Sequence, residues 1–263
     1  MHRFLLNPEI KSTIFDLLIE AGQAIMMYYQ DHSFEVEIKS DNSPVTSADL
    51  ASDAILSAGL QKLTPSWPII SEETDQYSYD QRKAMDYFWL LDPLDGTKEF
   101  LNHTDEFTIN LALIHDESPV AGFIYVPVTK ELYFAIKNQG SFQVIDGAEL
   151  PIQASQFSLE DSHLRVVSSR NYTDPRTDTY IRHLQSPTII AKGSALKFVW
   201  IAKGAADYYP RMIHIMEWDT AAGQIIIEEA GGKLVEATSG QPLKYNKSVM
   251  VNPFFIASGK ILS

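Results

Sequence analysis

Three features of the sequence predict an α+β chain that passes into an α/β arrangement. A long amphipathic helix opens it. Apolar, β-branched segments separated only by turn residues fill Phe107 to Ile145, the pattern of an antiparallel meander. After about residue 150 strands and helices alternate, which suggests an α/β half. The change of rhythm sets a boundary near Leu150–Asp161, dividing an N-terminal part, 1–155, from a C-terminal part, 156–263.

The opening helix follows Asn7-Pro8, an N-cap with Pro at the first helical position. Ile10, Ile14, Leu17, Leu18, Ala21, Ile25 and Tyr28 then recur at helical spacing. Lys39 to Asp49 is polar, contains Pro44, and reads as a loop. Thr46 and Asp49 have the capping-box spacing, and Leu50, Ala54 and Ala58 continue a second helix. Pro68-Ile69-Ile70-Ser71-Glu72-Glu73 is a short strand ending in two acids. Tyr87 to Leu91 reads as a buried strand that stops at Asp92-Pro93. Asp95-Gly96 turns the chain, and Thr97 opens a turn of helix.

The meander follows in four segments, Phe107–His115, Val120–Val126, Leu132–Ile136 and Phe142–Ile145. Beyond the boundary, strands are expected at Leu164–Ser168, Ser186–Lys192, Lys233–Ala237 and Val249–Val251. Helices are expected at Arg176–Leu184, at Ser194–Lys203 just after Gly193, and from Asp219 to a stop at Gly231-Gly232. His103 and His115 are read as surface or packing residues.

Composition narrows the function. The chain has 263 residues and no cysteine, so disulfides, thiolate-held zinc and a cysteine nucleophile are excluded. A formal net charge of −13 with scattered Lys and Arg disfavours a nucleic-acid polymer as partner. No run approaches the ~18 apolar residues of a membrane span. No basic-then-apolar leader is seen, so the expected location is the cytoplasm, at most peripheral on the inner face of the cell membrane. A small anionic substrate fits if cations gather locally or a metal is recruited.

Three stretches carry chemistry. Asp92 and Asp95 are hard oxygen donors three residues apart on a strand-leaving loop. Gly96 and Thr97 follow them at an expected helix N-terminus, where free N–H groups favour anions. If the Ile69-Ile70 strand lies beside Tyr87–Leu91, Glu72 approaches both acids, and a cation resolves their repulsion. Asp219, at the head of its helix, is a helix cap or a further ligand. Ser194 and Lys197, three apart on one face of a helix start, could hold a phosphate together with Arg211. Asp49 is a capping residue or a carboxylate that polarises a neighbouring hydroxyl.

Ser71-Glu72-Glu73, Asp92-Pro93-Leu94-Asp95-Gly96-Thr97 and Trp218-Asp219-Thr220-Ala221-Ala222-Gly223, in this order, resemble the magnesium-dependent, lithium-sensitive inositol monophosphatase superfamily. Gly96-Thr97-Lys98-Glu99-Phe100, Gly193-Ser194-Ala195-Leu196-Lys197-Phe198 and Tyr209-Pro210-Arg211 are similar to its bacterial 3'(2'),5'-bisphosphate nucleotidase branch. That branch often has Ser-Arg-Ser-His where this chain has Ser168-Ser169-Arg170-Asn171.

The resemblance implies a layered αβαβα sandwich and two or three Mg2+ ions. The implied ligands are Glu72, Asp92, Asp95, Asp219 and the carbonyl of Leu94. It implies that Thr97, paired with Asp49, orients and deprotonates the attacking water. The substrate would lie against the same acids and Gly96-Thr97, with Ser194, Lys197 and Arg211 on the non-reacting phosphate. The implied reaction takes adenosine 3',5'-bisphosphate to AMP and phosphate, in support of sulfate assimilation. An inositol or other sugar-phosphate phosphatase is the alternative. It would place a Glu after the paired Tyr, where Pro210-Arg211 stands here.

Overall fold

The computed structural model describes residues 2–31, 35–38, 44–74, 77–169 and 174–262. A 3-10 turn (His2–Leu6) leads into α1 (Pro8–Asp31), where Asn7 Oδ1 accepts the Glu9 N–H at 3.0 Å. β1 (Val36–Ile38) pairs antiparallel with β2 (Pro44–Thr46), which runs into α2 (Ser47–Leu63). The stretch expected to be a loop is therefore strand over Pro44–Thr46; positions 39–43 lie outside the described residues. Next come β3 (Ile69–Ser71), α3 (Tyr79–Arg82), β4 (Tyr87–Asp95) and α4 (Thr97–Leu101). The meander is β5 (Thr108–His115), β6 (Ser118–Val126), β7 (Glu131–Ile136), β8 (Gly140–Ile145) and one strand not foreseen, β9 (Ala148–Pro151).

The second half runs β10 (Gln156–Phe157), β11 (Arg165–Ser168), α5 (Pro175–Arg182), β12 (Thr188–Ala191), α6 (Leu196–Ala202), β13 (Tyr208–Arg211), α7 (Ala221–Glu229), β14 (Lys233–Glu236), β15 (Phe255–Ser258) and β16 (Lys260–Ile261). Several boundaries differ from expectation. The helix expected from Ser194 starts at Leu196, because Ser194 has φ 41° and cannot continue a right-handed turn. The helix expected from Asp219 starts at Ala221 after Thr220. Val249–Val251 forms only an isolated bridge between Met216 and Val251. The strand that completes the second sheet is β15, whose four residues are too few to show a period.

Among the described residues these elements stack as the layered αβαβα sandwich that the family resemblance implies. α1 and α2 cover one face of a seven-stranded sheet ordered β3-β4-β5-β6-β7-β8-β9. α6 and α7 cover its other face and pack against a five-stranded sheet ordered β12-β11-β13-β15-β14, with α5 beyond. Strand alternation divides the core accordingly. Trp89, Leu91, Leu111 and Phe123 face α1 and α2, while Phe88, Leu90, Ala112 and Ile124 face α6 and α7. Every residue of α7 from Ala221 to Ile227 is buried, as expected of a helix enclosed between two sheets. No described helix is long and apolar enough to cross a membrane.

α7 approaches β6 at Gly122. A Cβ there would lie 2.6 Å from Ile225 Cγ2 and 2.7 Å from the Ala222 carbonyl oxygen. Because a helix backbone forms part of that wall, the clash has no side-chain escape. We predict that Gly122→Ala destabilises the fold by about 1–3 kcal/mol, read as a lower urea midpoint at unchanged m-value. An unchanged midpoint would show that α7 is not pressed against the sheet.

Candidate active site

The site begins with an irregularity in β4. Residues three apart on a regular strand face opposite sides. The strand does not stop at Asp92-Pro93 as expected; it continues to Asp95, pairing Asp92 with Asn110 and Asp95 with Thr108. Three steps on β4 thus oppose two on β5, a one-residue bulge. The extra residue returns Asp95 to the face that Asp92 occupies, while Leu94 turns into the cluster under α1 and α2. Ser52 of α2 holds the bulge by donating to the Pro93 carbonyl at 2.7 Å, and the Leu94 N–H donates to Asp92 Oδ1 at 3.2 Å.

Glu72 and Asp219 arrive from elsewhere. β3 runs parallel to β4, and the Glu72 N–H donates to the Leu91 carbonyl at 3.0 Å, which sets Glu72 beside Asp92. Asp219 precedes the cap of α7, and its Oδ2 accepts the Met216 N–H at 2.8 Å. One carboxylate oxygen each from Glu72, Asp92 and Asp219 lies within 4.8 Å of the others. Burial, then the charges of Glu72, Asp95 and Asp219, push the Asp92 carboxyl well above the usual range. Asp219 is raised in the same way, by burial and then by Asp95 and Glu72. Asp95 is pushed up to about 6 by burial, against the opposing pull of Lys197 and the Asn110 hydrogen bond.

The donor set suits a hard divalent cation: carboxylates only, with Leu94 lining the same cleft and its carbonyl 3.4 Å from the Thr97 hydroxyl. A shared cation relieves the repulsion that raises the Asp92 and Asp219 carboxyls.

Thr97 and Asp49, which the family resemblance pairs, lie in hydrogen-bond contact. Thr46 caps α2, and Asp49 Oδ2 accepts from both the Thr46 N–H at 2.8 Å and the Thr46 hydroxyl at 2.5 Å. The other oxygen, Oδ1, accepts from Thr97 Oγ1 at 3.3 Å. The Thr97 hydroxyl also lies 3.4 Å from the Leu94 carbonyl. Burial raises the Asp49 carboxyl, opposed by the bonds from Thr46. Gly96 makes the turn between Asp95 and Thr97 at φ 95°, a value that favours glycine.

The cleft continues toward Ser194, Lys197 and Arg211. Ser194 is not on the helix face expected of it but in the turn before α6, while Lys197 lies in the first turn of α6. Burial lowers the Lys197 ammonium to about 8, against the attraction of Asp95. Arg211 Nη1 donates to Ser169 Oγ at 2.6 Å, and its Nε is buried without a partner. Asn171 lies outside the described residues.

Sequence reasoning missed Thr108, Asn110 and Glu106. Glu106 accepts from Lys192 Nζ at 2.9 Å and the Gly193 N–H at 2.8 Å, fixing the turn that carries Ser194. No motif announces these residues, because strand pairing and turn packing bring them to the site. His103 is exposed with its ring 4.5 Å from that of Tyr29, and His115 is half-buried with its ring 4.1 Å from that of Tyr87, positions that match a surface or packing role.

Comparison with known proteins finds similarity along nearly the whole chain. The sequence profile described as the inositol monophosphatase family matches residues 7–261. The 3'(2'),5'-bisphosphate nucleotidase CysQ of Salmonella typhimurium is 38% identical over 245 residues, covering 92% of this chain and 96% of the relative. The protein of that name from Escherichia coli is 38% identical over 248 residues, covering 93% and 98%. The crystal structure of CysQ from Bacteroides thetaiotaomicron superposes with a TM-score of 0.82 at 36% identity, covering 95% of this chain and 96% of that one.

The crowded acids yield a stability prediction. Two unit charges about 5 Å apart repel by roughly 3 kcal/mol at an effective dielectric near 20. The native state holds protons on Asp92, Asp219 and Asp95 more tightly than the unfolded chain does. In chelator, stability therefore falls as pH rises from about 4, and for Asp95 the fall is complete above about 6. We expect Asp92→Asn to melt higher than the parent in chelator at pH 7, and to gain less on adding millimolar Mg2+. A lower melting temperature in chelator would contradict the repulsion.

Proposed function

The chain belongs to the inositol monophosphatase family, and from that premise we propose that it is a phosphomonoesterase removing the 3'-phosphate of adenosine 3',5'-bisphosphate, leaving AMP and phosphate. The names of its relatives support this reading. So does one observation: the acid cage opens into the same cleft as Lys197 and Arg211. A phosphate at each end of that cleft would meet complementary charge. The buried, unpartnered Nε of Arg211 supports it too, since a buried donor without an acceptor costs about 1–3 kcal/mol. A second phosphate would supply the acceptor.

In this reading Glu72, Asp92, Asp95, Asp219 and the Leu94 carbonyl hold two or three Mg2+ ions. The ions, when bound, neutralise the phosphoryl oxygens and lower the pKa of water. The rest follows from the chain's own groups. The Thr97 hydroxyl gives its proton toward Asp49 Oδ1, so its lone pairs face outward to accept a proton from the attacking water. Asp49 is buried, which favours its accepting the Thr97 hydroxyl proton as Thr97 takes one from the water. The backbone at Gly96-Thr97 faces the cleft and would orient the reacting phosphate. Ser194, Lys197 and Arg211 hold the other phosphate, whose binding energy positions the first. The parts 1–155 and 156–263 then act as two walls of one site.

Steady-state rates decide the substrate. The expected order is adenosine 3',5'-bisphosphate well above inositol monophosphate; equal or better turnover of the inositol ester would overturn the assignment. Arg211→Ala should raise KM for the bisphosphate about tenfold or more, the range of a charge-assisted hydrogen bond, and leave a small monophosphate nearly unaffected. Equal losses on both would remove Arg211 from the second-phosphate seat.

A further inference from the structure

One hydrogen-bonded chain links the Asp95 carboxylate to the Ser194 hydroxyl through two buried residues. Asn110 Nδ2 donates to Asp95 Oδ2 at 3.1 Å, and Thr108 Oγ1 donates to Asn110 Oδ1 at 2.9 Å. The hydroxyls of Thr108 and Ser194 lie 3.2 Å apart. Thr108 and Asn110 are 0% and 1% exposed, so water does not offer them alternatives.

The directions of all three links follow from the first. A carboxylate only accepts, so Asn110 must turn its amide nitrogen toward Asp95 and its oxygen toward Thr108. Thr108 has one hydroxyl proton, and Asn110 takes it. Ser194 is then the donor in the last pair, and its own single proton points inward.

We infer that Thr108 and Asn110 are positioning residues, holding the Asp95 carboxylate for a cation while engaging the proton that Ser194 would otherwise offer to an anion in the cleft. This rests on the function proposed above. Asn110 occupies one oxygen of Asp95 and leaves the other for the cation. Thr108 keeps the Asn110 amide from turning over and setting its oxygen against the carboxylate. At the far end, Ser194 donates to a ligand only by leaving Thr108. Cation holding and anion binding therefore draw on one set of protons.

Thr108→Val removes the hydroxyl at nearly constant volume and gives the two ends opposite signs. Outer-shell partners of metal ligands typically govern tenfold or more in affinity. From a residue one bond further out, we expect Mn2+ affinity to fall about threefold or more, measured by the free-Mn2+ resonance without substrate. AMP affinity, measured by calorimetry at saturating Mg2+, should rise, because Ser194 no longer surrenders a bond to donate. Thr108→Ser should restore both values. A merely loosened fold would lower both affinities, and that result overturns the inference, as does an unchanged Mn2+ affinity. If AMP does not bind the parent chain, the bisphosphate reading fails, and the Mn2+ titration alone decides the role of Thr108. Should Thr108→Val not fold, Thr108→Ala removes the same hydroxyl without adding a methyl group.

Discussion

Mutual repulsion among carboxylates is the constraint around which this molecule is built. Glu72, Asp92 and Asp219 approach within 4.8 Å through one oxygen each, with Asp95 beside them. Nothing in their own chemistry favours that arrangement. It is imposed by packing elsewhere: parallel pairing of β3 with β4, the bulge in β4, and α7 enclosed between two sheets. The fold holds a costly distribution of charge ready for a cation, and a cation lowers the energy of the whole. This is a form of preorganisation, in which binding need not reorganise its own ligands.

The cage is also asymmetric. Toward Thr97 and Asp49 it meets a hydroxyl whose proton is already directed at a raised carboxyl. Toward Lys197 and Arg211 it meets cations, one of them a buried ammonium lowered to about 8. Acid-rich and base-rich ends of one cleft suit a ligand with phosphate at both ends. A polyol would leave the cationic end without a partner.

Much of this was legible in the sequence, and the limits are physical. The three acidic motifs, the capping box at Thr46 and the hydroxyl at Thr97 were visible because each is local and carries turn or cap chemistry. The meander was visible because its strands follow one another. The continuation of β4 through Pro93 was not, since a proline ordinarily ends a strand and a bulge leaves no mark in a single sequence. Ser194 read as the start of a helix because it follows Gly193; its positive φ lies beside a turn that Glu106 holds through the Gly193 N–H from across the molecule. Asn110 and Thr108 read as ordinary strand residues, and only the register with β4 gives them neighbours of consequence. The strand β13 was hidden in Asp207-Tyr208-Tyr209, whose burial comes from a partner strand some fifty residues later.

The enclosure of α7 also orders events during synthesis. The meander emerges from the ribosome complete, yet the groove at Gly122 that receives α7 stays wet until residue 229 has followed. Asp219 leaves the tunnel just ahead of the same helix, so the last acid joins its fellows only as the two sheets close on each other. A nascent chain that folds from its N-terminus thus lacks a finished trap for divalent ions until its second half is in place.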